Sequence, residues 1–252
     1  MKMMKKLTAP PWQALCLGVP AFLLMVLLMT TGRDARGLFI PGHYAGILLW
    51  VLTAVMAVLL VFGVQQYSGK AKYGRMFPPS APAAVGLLGV AAAVLWSAWD
   101  IYCSGSGILE LVAGLLGLVS AGVMVYLAWC RFRGIRTGCL LWSVVTLFLM
   151  LRLMFAYRDW SGQPELLRYC FPLLASVCVT LAVYYRTAFC VGMGSRRMYL
   201  FFTQLGAFFC FVALGGGLNL FYLGMLLWCL LDLPSLRPFK TGAREDLPED
   251  QP

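Results

Sequence analysis

Residues 198–231, MYLFFTQLGAFFCFVALGGGLNLFYLGMLLWCLL, run for 34 positions without a charged side chain. One continuous helix of that length would measure about 51 Å at 1.5 Å per residue. A tilt of ~40° would still leave about 39 Å to fit into a hydrocarbon core of ~30 Å. The run must therefore break. Gly215, Gly216 and Gly217 supply the place, because glycine combines maximal backbone freedom with minimal helix propensity. This predicts two segments, 198–214 and 218–232, joined by a turn that also contains Asn219. The alternative is one span followed by a re-entrant half-helix, since 218–231 alone would reach only about 21 Å.

Six further apolar blocks precede it, at about 12–30, 43–64, 82–99, 108–129, 138–156 and 166–185. Of the 252 residues 61% are apolar and only 12% charged, with a mean hydropathy of +0.81. A soluble domain would be about a quarter charged. Backbone groups left open in hydrocarbon are not tolerated, so the choice lies between helices and a closed barrel. The blocks are much longer than the ~10-residue alternating strands of a barrel. They predict an all-α, polytopic transmembrane bundle of about eight spans in four helical hairpins. Residues 1–232 form a single membrane domain and 233–252 a short polar cytoplasmic tail, in which TGAREDLPEDQP (241–252) is read as disordered. The first block follows a basic start, but no A-x-A-like cleavage site succeeds it, so it is read as a retained span with a kink at Pro20.

Charge sorts the loops independently. Assigned alternately to two sides, fifteen cations and five acids fall on the side of the N-terminus and five of each on the other. A Lys/Arg excess marks cytoplasmic loops. Both termini are then cytoplasmic, and a plasma-membrane location is expected. Topology accounts for the net charge of +10, and nucleic acid is excluded as a partner. The basic loops, including QQYSGKAKYGRMFPPSAP (65–82) with Tyr67, Tyr73 and Phe77 among its cations, are read as anchors on anionic lipid headgroups. Asp232 is counted with the acids of the inner side and read as an interface residue.

Helix pairing has its own signal. Gly89, Ala93 and Ser97 lie four apart, as do Ala113, Gly117 and Ala121, and small residues at that spacing let membrane helices approach closely. The spans containing them are expected to pack together. Trp12, Trp99, Trp129 and Trp160 fit an interfacial belt.

The candidate site follows from MLRLMFAYRDW, residues 150–160. Arg152 lies about 21 Å up the fifth span from Gly138, in its outer third. From there an arginine can run its stem outward and place its head near the headgroups. Asp159, two turns on, shares its face. Asp100, Glu110 and Arg168 end neighbouring spans on the same side. The expectation is a set of paired charges capping the outer mouth, with Arg152, Asp100 and Glu110 the first candidates for contact with a solute and Asn219 next.

No catalytic signature is present. The chain lacks G-x-x-x-x-G-K-[ST], H-E-x-x-H and G-x-S-x-G, and His43 is its one histidine. Asp34, between Arg33 and Arg36, has no further aspartates nearby to share a metal. The nine cysteines are odd in number, form no C-x-x-C and lie mostly in apolar blocks, where they act as small hydrophobes. No cofactor, metal or enzymatic activity is expected. Two functions compete: a small-solute carrier (or the membrane subunit of one), and a non-catalytic accessory, sensory or assembly subunit. The latter would need a membrane-protein partner or a second copy of the chain.

Overall fold

A computed structural model describes residues 10–32, 40, 42–65, 76–104, 107–161 and 166–236, except for the side chains of 10–12, 104, 159, 161 and 166–168. These residues form eight helices. In chain order they are α1 (Pro10–Thr31), α2 (Tyr44–Gln65), α3 (Ala81–Ser104), α4 (Ile108–Arg133), α5 (Cys139–Ser161), α6 (Leu166–Cys190), α7 (Arg196–Gly215) and α8 (Leu220–Ser235). Every apolar block of the sequence is a helix. Most run past the apolar run itself by several residues, because the flanking polar residues extend the hydrogen-bonded turns. Seven helices, α1 to α7, are long and apolar enough to cross a membrane. The eighth has 16 residues, about 24 Å of helix. It ends at Ser235, so the last residues assigned to helix lie beyond the predicted boundary at 232. The first residues of the predicted tail, 233–235, thus belong to α8, and the expectations of disorder for the rest of the tail and of lipid anchoring at Lys70, Lys72 and Arg75 lie outside the described residues.

The break in 198–231 occurs where the glycines stand, and its turn uses no left-handed backbone. Gly216 has an ordinary right-handed φ of −81°, and no residue of the turn uses a positive φ. Gly215 instead makes room. A Cβ there would lie 2.8 Å from the Phe22 carbonyl oxygen and 2.8 Å from Met25 Cβ, so its bare backbone lets α1 cross α7 closely. Asn219 then starts α8, its side-chain oxygen accepting the Phe221 N–H at 2.9 Å.

The most extensive helix pairing joins α3 to α4, as the small-residue spacing predicts. Gly117 of α4 faces Ala98 and Phe148, the latter at 2.6 Å from a Cβ built on it. The stripe on α3 is used differently from the expectation. Gly89 and Ala93 meet Gly224 of α8, where a Cβ on Gly224 would come 2.7 Å from the Gly89 carbonyl oxygen. Farther along, Gly86 faces the backbone of Trp228. Rising numbers on α3 therefore meet falling numbers on α8, and α8 lies antiparallel in the groove of α3. The main core gathers Met25, Leu49, Val94, Phe148, Phe171 and Phe208 around this arrangement. A smaller cluster, with Phe77, Phe189, Tyr199 and Leu233, closes the end where α4, α6 and α8 finish.

Candidate functional site

Two polar sites lie inside the apolar bundle, and α8 carries part of each. Tyr222 and Asp232 stand ten residues apart on α8, as do Ser176 and Arg186 on α6. At 1.5 Å per residue the two levels are about 15 Å apart.

The first level holds Arg152. Its guanidinium turns into the bundle: Nε donates to Ser97 Oγ at 2.7 Å and Nη1 to Ser176 Oγ at 3.4 Å. Its Cζ lies 3.3 Å from the centre of the Phe221 ring and 5.7 Å from that of Tyr222. Side chains from α3, α5, α6 and α8 thus meet on one cation. This corrects the expectation that Arg152 reaches outward along its own helix. Two hydroxyls and an aromatic face offer the guanidinium polar contacts and cation–π attraction within the protein. Asp100, on α3, is within coulombic reach of it. Tyr222 extends the network by donating to the Pro172 carbonyl at 3.2 Å, with its hydroxyl 3.4 Å from Ser176 Oγ. Tyr222 also lines a cavity of about 280 Å³, together with Trp160, Tyr169, Gly216, Gly217 and Asn219. Trp160 and Tyr169 stack across its wall at 5.3 Å between ring centres.

The remaining candidates divide. Glu110 joins Arg158 at 2.9 Å, with the arginine side chain 58% exposed, so this pair is separate from the hydrogen bonds of Arg152. The side chains of Asp159 and Arg168 lie outside the described residues. Gly216, Gly217 and Asn219 border the cavity, whereas Gly215 serves the contact with α1.

The second level was not legible as a site. Asp232 is completely buried on α8, and its Oδ1 lies 3.0 Å from Arg186 Nη1 of α6 and 3.8 Å from Arg131 Nη2 of α4. Tyr199, in the first turn of α7, donates its hydroxyl to Asp232 Oδ2 and accepts from Arg186 Nη1 at 3.3 Å. Arg131 also donates to Ser235 Oγ at 2.9 Å. Aromatic faces enclose the Arg186 guanidinium, with ring centres of Trp142 at 4.4 Å and Phe77 at 4.6 Å. Phe77, expected among the lipid-facing residues of the long loop, is instead buried between Phe189 and Tyr199. Arg131 and Arg186, counted as loop cations, are buried helix residues. One signal was available: an acid in the last turns of an apolar helix, WCLLDLPS, requires a cation, and charge sorting places Arg131 and Arg186 at its end of the bundle.

Among the described residues no three His, Cys, Asp or Glu side chains come together as metal ligands. His43 accepts the Ala45 N–H at 3.3 Å. All nine cysteines are free thiols, four of them buried. Compared with protein-family models, curated proteins and solved structures, the chain matches none.

Proposed function

We propose that the chain is a small-solute carrier of the plasma membrane, or the membrane subunit of one, and that its solute carries a carboxylate. The observation that carries this reading is the inward-turned Arg152 guanidinium, one side chain behind a cavity bordered by Tyr222 and Asn219. A guanidinium offers a planar fork suited to a carboxylate. Ser97, Ser176 and the Phe221 ring hold that fork in place, which lowers the ordering cost of binding. Charge sorting puts both termini in the cytosol and this cavity on the outer side. The Asp232 cluster then ties α4, α6, α7 and α8 together at the inner end, where it acts as the closed gate of an outward-facing state. Movement of α8 about the Gly215–Asn219 turn would couple the two levels. No covalent chemistry is assigned to the chain.

One observation favours a second reading. Helix α2 exposes Trp50, Val51, Val58 and Phe62, and only five of its 22 residues are buried. In an accessory or assembly subunit that face would take a helix of a membrane-protein partner or a second copy; in a carrier it faces lipid.

Purified full-length protein in liposomes separates the two. The carrier reading expects labelled acetate, lactate or succinate to enter faster than into empty vesicles. Arg152→Lys should be made at wild-type level yet lose most of that uptake. No uptake of any of the three acids favours the accessory reading, and full uptake in Arg152→Lys removes Arg152 from the solute contacts.

A further inference from the structure

A second cavity, of about 230 Å³, opens at the end of the bundle beside the Asp232 cluster. Its wall includes Phe77, Pro79, Arg131, Gly134 and Arg136, and among the described residues its charged groups are the two arginines. The turn after α4 brings them together. On a continuing helix, residues five apart point about 140° away from each other. Gly134 instead takes a left-handed φ of 74° and donates its N–H to the Cys130 carbonyl, which ends the helix and leaves Arg136 lining the same cavity as Arg131.

The two arginines differ in the way a binding site needs. Arg131 is 5% exposed and already held by Ser235 and Asp232, so its position is set before a ligand arrives. Arg136 is exposed at the rim and free to close over an incoming group. Phe77 and Pro79 supply an apolar wall that limits competing water. A single water needs roughly 10–15 Å³ of such space, so the cavity accommodates a larger polyatomic anion together with several waters.

We propose that this cavity binds a phosphate group, presented either by a small soluble phosphate or by the headgroup of a phosphate-bearing lipid. Two guanidinium forks match the several acceptor oxygens and the greater charge of a phosphate better than they match a single carboxylate. The site shares Arg131 with the Asp232 cluster but does not rest on the carrier reading, because it is read by binding rather than by transport.

The test uses the purified full chain and its Arg136→Gln variant, which changes an exposed side chain and leaves the buried cluster intact. Thermal unfolding is followed in detergent with inorganic phosphate against chloride at equal ionic strength. A parallel series uses nanodiscs of phosphatidylcholine with and without phosphatidic acid. The wild-type midpoint should rise with phosphate, with phosphatidic acid, or with both. The apparent affinity should be about tenfold weaker in Arg136→Gln, as expected for the loss of one charge-assisted contact. A response to inorganic phosphate in detergent assigns the soluble source, and a response confined to phosphatidic acid assigns the lipid. No rise with either probe overturns the proposal. So does an equal rise in Arg136→Gln, which would report general exclusion of the salt from the protein surface.

Discussion

Asp232 Oδ1 and Arg186 Nη1 meet at 3.0 Å, and neither side chain is exposed at all. The aspartate also faces Arg131 and Tyr199, so one carboxylate organises four helices at one end of the bundle. Removing one partner of such a cluster leaves the other charges buried without compensation, and that cost exceeds what the intact pair contributes.

Asp232→Asn keeps the volume and removes the charge that Arg186 and Arg131 share. Its destabilisation should be ~3–5 kcal/mol, seen as a large drop in thermal midpoint in detergent and a lower yield of folded protein. A midpoint within a degree or two of wild type would mean that the two arginines are supported by other groups.

Tyr199→Phe removes only the hydroxyl that bridges Asp232 and Arg186. The ring still packs on Phe77 and Phe189. The expected loss is ~1–3 kcal/mol, the cost of leaving a buried polar partner unsatisfied, and the same unfolding measurement reads it. A loss as large as that of Asp232→Asn would place most of the cluster's stability in the hydroxyl.

Glu110→Gln breaks an ion pair of the same nominal type at the surface. Exposed pairs are screened by water and salt and hold two mobile side chains in place. Its unfolding midpoint should match wild type, and the contrast with Asp232→Asn isolates the effect of burial. Equal destabilisation in the two variants would show that burial is not what separates them.

The glycine turn offers a paired test of two physical accounts. Gly215→Ala should destabilise by ~1–3 kcal/mol, because its Cβ meets the Phe22 carbonyl and Met25 at 2.8 Å. Gly217→Ala has nothing within 4 Å of its Cβ and lacks a positive φ, so it should be neutral or stabilise by up to ~1 kcal/mol. If both variants destabilise alike, backbone freedom rather than close helix approach is what the turn requires.

The helices themselves could be read from residue order. Length and apolarity are properties of contiguous residues, and a bilayer-sized run needs no knowledge of its neighbours to be recognised. The same holds for the break in 198–231, where 34 uncharged residues exceed any single crossing. The partners of Arg152 and Asp232 are another matter. Ser97, Ser176 and Phe221 lie 55, 24 and 69 positions from Arg152, and Arg131 lies 101 from Asp232. Nothing local marks Ser97 as a partner of Arg152, and the spacing of the stripe that carries it does not say whether α4 or α8 packs on it. Sequence alone determined a basic, helical, multi-spanning chain and the place where its last apolar run must break. Only the tertiary structure decided which way Arg152 turns and that two supposed loop cations are buried on one aspartate, because electrostatic pairing across helices depends on rotation about each helix axis, and packing sets that rotation.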